Sequence, residues 1–237
     1  HATQTAAQCG LEAQERLFNY QVADDISLSM RAGVSAGMLG VFHVGGIYNR
    51  WEFMAVGSPV VDGASASDVA NSGEVVIAES AWSYVASRAL GQRVEDNHIL
   101  LQYIDQVKPF PQEIRDRLLE LPESLLQSYV PGAIWARLSA GQSGWMAELR
   151  RVCVLFVNLP DFGQVTDDEL MLVQEMMRTF QETIYRYEGS INKLNVDDKG
   201  VTLITALGLP PLAHEDDPER GIRLALDLRH ELKSRGL

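Results

Sequence analysis

The last third of the chain carries the pattern that most limits how this sequence can fold. Val152 to Val157 is a continuous apolar run, typical of a strand buried on both faces of a sheet. Apolar residues then recur at three- and four-residue steps from Leu170 to Tyr187, which predicts an amphipathic helix. A β-hairpin is predicted over Ile191 to Leu207, and a final helix begins at Asp217. Strand, helix, hairpin and helix in this order form half of an α+β domain.

The first ninety residues predict a second structured block. Ala2 to Tyr20 predicts a surface helix, and Ile26 to Arg31 alternates apolar and polar residues as a half-buried strand does. A glycine-rich stretch over Gly33 to Gly46 precedes strand-like Trp51 to Val56, which predicts a hairpin. Residues 1–90 and 150–237 are therefore the two predicted domains.

Residues 91–149 form the predicted linker. Four prolines interrupt its pattern, but short amphipathic helical stretches remain, and Leu, Ile, Tyr and Trp recur throughout. Such a composition favours a partly helical linker that packs against its neighbours over a free coil.

Charge and cysteine content exclude several classes of protein. The formal net charge is -12, from 20 Lys+Arg against 32 Asp+Glu, which argues against nucleic acid and anionic membranes as partners. Two cysteines make a disulfide scaffold implausible, and no leader or membrane-spanning run is evident. We therefore expect a cytoplasmic protein.

The common catalytic motifs are absent from the sequence. It has no phosphate-binding loop, no dinucleotide-binding glycine pattern and no serine nucleophile elbow. The five histidines lack metal-ligand spacing. We therefore assign no catalytic residue and no metal site to this chain alone.

Two short strings carry a family resemblance. Gly189 to Lys193 and Asp197 to Val201 resemble the central hairpin of class III nucleotidyl cyclases, most closely that of the second catalytic domain of soluble, bicarbonate-responsive adenylyl cyclases. Phe156 to Leu159 resembles that domain's first strand, and Glu215 to Leu226 resembles the helix after the hairpin.

The first block resembles a different part of the same fold. Arg31 to Gly37 and Arg50 to Gly57 are similar to late strands of a cyclase domain. The resemblance implies that residues 1–90 end a first cyclase domain and residues 150–237 begin a second, so that the chain is a piece of a tandem cyclase. The implied fold is α+β, a ferredoxin-like cyclase sheet with helices on one face.

The resemblance also implies a metal chemistry. In this family two carboxylates hold two Mg²⁺ or Mn²⁺ ions, which would be the cofactors of the complete enzyme. Asn158 stands at one carboxylate position, and Asp198, or alternatively Asp197, stands at the other. An amide cannot supply the charge that a hard cation favours. Alternatively, Asp198 belongs to a solvated turn.

Lys193 is the residue that the resemblance places at the nucleotide. The family's lysine at this position hydrogen-bonds the adenine ring, and an ammonium suits adenine N1, which accepts where guanine N1 donates. Alternatively, Lys193 is an edge-strand lysine that discourages aggregation. Ala64 stands near the position of a bicarbonate-binding arginine, so the activator remains open.

The implied function is an adenylyl cyclase region that, in the complete protein, converts ATP to cyclic AMP and pyrophosphate. ATP and the remaining parts of the tandem domains are the implied partners, and the chain alone is expected to be inactive. A non-catalytic regulatory or nucleotide-binding module is the alternative, and a generic interaction module is the third reading.

The two halves also predict a pairing. Because they supply late strands of one sheet and early strands of another, we expect them to pair, within one chain or as a swapped homodimer. Val152 to Val157 would then be central, beside Arg31 to Ser35, with Phe156 buried.

Overall fold

A computed structural model describes residues 1–107, 121–141, 149–159, 170–197, 200–209 and 211–236. The chain divides into two compact units. The first consists mostly of His1–Gly40 and Ala55–Gln112, and the second of Val41–Met54, Glu113–Val196 and Gly200–Leu237. In the described ranges, no helix combines the length and apolar character needed to span a membrane.

In the part of the chain that the structure describes, the first unit contains three helices and six of the strands. The helices are α1 (Ala2–Leu17), α2 (Ser58–Val69) and α3 (Glu79–Val85). The strands are β1 (Tyr20–Ala23), β2 (Ile26–Leu28), β3 (Ala32–Val34), β6 (Val75–Ala78), β7 (Ala89–Arg93) and β8 (His98–Ile104). Strands β7 and β8 extend this unit into the segment assigned from sequence to the linker.

Four of these strands form one sheet in the order β3, β6, β8, β7. Strand β3 runs parallel to β6, and the other neighbours are antiparallel. Val75 and Ile77 of β6 pack with α1 and α3, whereas Val76 and Ala78 pack with α2. Because β6 is apolar on both faces, helices cover both sides of this sheet, so the prediction of helices on one face is wrong here.

The β1–β2 hairpin corrects another prediction. All seven of its residues are exposed, and the strand ends at Leu28. The alternation over Ile26 to Arg31 predicts a half-buried strand, but β2 pairs only with β1 among the described strands. Period-2 alternation establishes which residues share a face and leaves open whether anything covers that face.

Among its described residues, the second unit contains four helices and five strands. The helices are α4 (Glu123–Gln127), α5 (Gly132–Ser139), α6 (Leu170–Arg186) and α7 (Asp217–Ser234). The strands are β4 (Gly40–Gly45), β5 (Trp51–Val56), β9 (Cys153–Leu159), β10 (Ser190–Asp197) and β11 (Gly200–Leu207). The predicted hairpin β10–β11 and the two predicted long helices are confirmed. In the first block, β5 is the predicted strand, but its hairpin partner is β4, which lies inside the glycine-rich stretch, and not the strand that begins at Ile26.

Strands β10, β11 and β9 form a three-stranded sheet in that order. Its buried side carries Leu203 and Leu207 of β11, and the core of the unit also contains Phe180 of α6 and Leu224 of α7. Strand β9 pairs with β11 and lies at the edge among the described strands. Phe156 is 66% exposed, so the prediction that β9 is central beside β3 with Phe156 buried is wrong. The swapped homodimer stays a prediction.

The described residues form an α+β protein. The ferredoxin-like cyclase topology and the assignment of residues 1–90, 91–149 and 150–237 to domain parts stay predictions.

Candidate functional site

Two of the residues singled out from the sequence lie in the three-stranded sheet. Asn158 of β9 is opposite Thr202 of β11, and its amide nitrogen donates a hydrogen bond to the Thr202 hydroxyl at 3.2 Å. Lys193 of β10 is exposed. Their strands flank β11 on opposite sides, so the two backbones are about 10 Å apart. Asp198, the other predicted ligand, lies outside the described residues.

The described part of this sheet does not fit a two-metal site. Asn158 is a neutral amide that already bonds Thr202. Among the residues that the structure describes, no cluster of three His, Cys, Asp or Glu side chains could hold a metal ion. Mg²⁺ and Mn²⁺ favour carboxylate ligands, so these strands alone do not supply the metal chemistry that the resemblance implies.

The most elaborate polar arrangement lies elsewhere in the second unit, where the tip of the β4–β5 hairpin meets helix α6. Gln181 is fully buried; its Oε1 accepts a hydrogen bond from the Ile47 N–H at 3.0 Å, and its Nε2 donates to the Arg50 carbonyl at 2.9 Å. Gln174 accepts from the Gly45 N–H and donates to the Gly45 carbonyl, both at 2.9 Å. Two side-chain amides thus satisfy four main-chain groups of the hairpin tip.

Local backbone conformation explains the residues at this tip. Gly45 and Gly46 have φ of 107° and 96°, and Tyr48 and Asn49 have φ of 51° and 60°. A Cβ atom at Gly45 would collide with the Gln181 side chain. Glycine is therefore required at position 45 both by its φ and by the close approach of α6.

The linker contacts the same hairpin. The Ser128 carbonyl accepts hydrogen bonds from the Trp51 N–H at 2.8 Å and from Arg50 Nη1 at 3.0 Å. The Tyr129 hydroxyl lies 2.9 Å from Nδ1 of His43. These bonds support the prediction that the linker packs against its neighbours.

Arg50, directly before β5, and Glu52 of β5 form a largely buried ion pair. Arg50 Nη2 lies 3.1 Å from Glu52 Oε1 and donates a hydrogen bond to Oε2 at 3.2 Å, and the two side chains are 14% and 11% exposed. Burial raises the pKa of Glu52 from 4.5 to about 7, although Arg50 opposes this shift. Burial also raises the pKa of the Tyr185 hydroxyl to about 12, and the nearby Glu52 adds to this.

A cavity of about 620 Å³ lies within the second unit beside these groups. Its walls come from the hairpin tip, helices α4 and α5 and the connection between them, the end of α6, the start of β10, and the segment after β11. Three aromatic side chains, Tyr48, Trp135 and Tyr185, contribute to its lining. The volume is within the range of small-molecule pockets in proteins.

Sequence reasoning did not identify this arrangement. It gives no role to Trp135 or to Gln174, Gln181, Arg50 and Glu52. One signal was present: Gln174 and Gln181 are seven residues apart, beside the apolar residues of α6, where a polar side chain needs a partner.

Comparison with known proteins indicates a region related to the adenylyl cyclases. The chain is 22% identical over 259 residues to adenylate cyclase type 10 of Homo sapiens, an alignment that covers 93% of this chain and 16% of that protein. The values for Oryctolagus cuniculus are the same, and the Rattus norvegicus protein is 22% identical over 253 residues. The chain thus spans about 16% of the length of these relatives. No protein-family model matches.

Proposed function

We propose that this chain is an adenylyl cyclase region that, within the complete protein, contributes to conversion of ATP to cyclic AMP and pyrophosphate. In that reaction the ribose 3′-oxygen bonds the α-phosphorus, its proton is lost, and pyrophosphate leaves. The observation that carries the proposal is the similarity to adenylate cyclase type 10, which extends over 93% of the chain.

Within this proposal Lys193 contributes to base recognition. It is exposed on β10, in the string that resembles the cyclase hairpin, and so is accessible to a nucleotide. Its ammonium can donate a hydrogen bond to adenine N1 and finds no acceptor at guanine N1. The metal-binding carboxylates would come from other parts of the complete protein, because Asn158 cannot serve as one of them.

The test is a kinetic comparison in the full-length protein that contains this chain. Lys193→Ala should raise KM for ATP about ten- to a hundredfold, because a hydrogen bond from a charged donor contributes roughly 1.5–3 kcal/mol, and it should weaken discrimination against GTP. Lys233→Ala removes another exposed lysine of the same unit and should change neither value. If the two variants had the same KM for ATP and the same KM for GTP, Lys193 would not take part in nucleotide recognition.

A second candidate function is a non-catalytic nucleotide-binding or regulatory module. The observation in its favour is Asn158, an amide bonded to Thr202 at a position where a metal-binding domain of the family would carry a carboxylate. Binding of a fluorescent ATP analogue, weakened by Lys193→Ala, without any formation of cyclic AMP would select this candidate. Cyclic AMP formation by the full-length protein with Mg²⁺ or Mn²⁺ would exclude it.

A further inference from the structure

We infer that the 620 Å³ cavity of the second unit is a binding site for a neutral, planar aromatic molecule that carries a hydrogen-bond acceptor. All of its lining residues belong to this one unit. The site is separate from Asn158 and Lys193, neither of which lines it, so the inference does not depend on the proposed function.

The shape preference follows from the aromatic lining. The Tyr48 and Tyr185 rings are 5.9 Å apart at an angle of 34°, and Trp135 of α5 lines the same cavity. Val130, Ile191 and Leu209 add aliphatic surface. Flat aromatic ligands stack against such rings and fill apolar space at the same time.

The preference for a neutral ligand follows from the two charged residues in the lining, since each already has a partner. The Arg50 guanidinium is bonded to Glu52, the Trp51 carbonyl and the Ser128 carbonyl. The Glu188 carboxylate accepts a hydrogen bond from Arg220 at 2.9 Å and lies 3.1 Å from His214 Nε2. A charged ligand would have to displace one of these partners, at a cost in desolvation.

The preference for an acceptor follows from the donors in the wall. Tyr185 keeps its proton at all physiological pH values, because burial raises its pKa to about 12. The Trp135 indole can only donate a hydrogen bond. A carbonyl or ring nitrogen on the ligand would complement these groups, as polar groups in mostly apolar pockets commonly set ligand orientation.

The test uses prodan, a neutral naphthalene dye with a ketone, whose emission shifts to the blue in apolar sites. We expect saturable binding of one prodan per 237-residue chain. Trp135→Ala should weaken it about two- to tenfold, the loss expected for one aromatic contact. Absence of a saturable shift with the unmodified chain would overturn the inference.

A variant that fills the cavity tests whether prodan binds there. Gly132 lines it, and a Cβ atom there would meet no other atom within 4 Å, so a side chain can begin at this position without a backbone collision. Gly132→Trp should abolish saturable binding, and Gly132→Ala should retain it. Ala136→Trp, on the same helix, provides a second block, and circular dichroism checks that each variant is folded.

Two other results would also refute the proposed site or its ligand class. Unchanged prodan affinity in both folded tryptophan variants would place the dye elsewhere and refute the site. Competition with 1-anilinonaphthalene-8-sulfonate tests the charge preference: this anionic naphthalene should displace prodan at least about tenfold less effectively than an unlabelled neutral naphthyl ketone. Equal displacement by the anion would refute the neutral ligand class.

Discussion

The anchoring of the β4–β5 hairpin by Gln181 can be tested by one substitution. Gln181→Met retains most of the side-chain volume but leaves the Ile47 N–H without its partner. The Arg50 carbonyl loses one hydrogen bond and keeps the one from the Gly46 N–H at 2.8 Å. A buried main-chain group without a hydrogen bond costs about 1–3 kcal/mol, so the hairpin should lose about 1–3 kcal/mol of local stability.

Hydrogen exchange of peptides that cover residues 41–54 measures this loss of local stability. A local loss of 2 kcal/mol accelerates exchange about 30-fold, provided that these amides exchange through hairpin opening. Gln21→Met is the control, because Gln21 also donates to two main-chain carbonyls but is exposed on β1, and its removal should change stability by less than about 0.5 kcal/mol.

Gln174→Met and the double variant extend the experiment to the second anchor. Both glutamines bind the same hairpin tip, so their effects should be non-additive by about 0.5–3 kcal/mol. Exchange rates over residues 41–54 that stay within about twofold of the parent in Gln181→Met would refute the view that these amides hold the hairpin.

Three further predictions concern the ion pair, the first unit and activity. Because the pKa of Glu52 rises from 4.5 to about 7 on folding, the folded state binds this proton more tightly, and the free energy of unfolding should fall by about 3 kcal/mol as pH rises from 4.5 to 7. In urea titrations Glu52→Gln should remove this pH dependence. An unchanged pH dependence in the variant would contradict the raised pKa of Glu52. Gly33→Ala places a Cβ against the backbone of α2 and should lower the stability measured by thermal unfolding by about 1–3 kcal/mol, whereas Gly132→Ala should be nearly neutral. Equal effects of the two substitutions would contradict the close contact between Gly33 and α2. The isolated chain should form negligible cyclic AMP, and metal-dependent turnover lost in Asp198→Ala would show that it does contain a metal site.

Elements whose burial is dictated by their own periodicity could be predicted from the sequence. Helix α6 is an example, since Val173, Met177, Phe180 and Ile184 are spaced for one face and are buried together. The hairpin β10–β11 is another, because its strands and polar turn are local features.

What could not be predicted depends on residues distant in sequence. The alternation of β2 cannot reveal that its residues are exposed, and the apolar run of β9 cannot reveal that Phe156 is exposed. The cavity needs segments near residues 48, 130, 187 and 210 to come together, which only tertiary structure shows. A glutamine side chain gives little sign in the sequence that its partners are main-chain atoms more than a hundred residues away.

The hydrogen bonds of Gln174 and Gln181 have a consequence for how this region can change. Both amides bind main-chain atoms at Gly45, Ile47 and Arg50, so the contact depends on where the backbone runs and hardly on the Ile47 side chain. Side-chain replacement at position 47 should therefore be well tolerated. Insertion or deletion of one residue between positions 45 and 50 should be far more damaging, because it moves donors and acceptors out of reach of both glutamines at once.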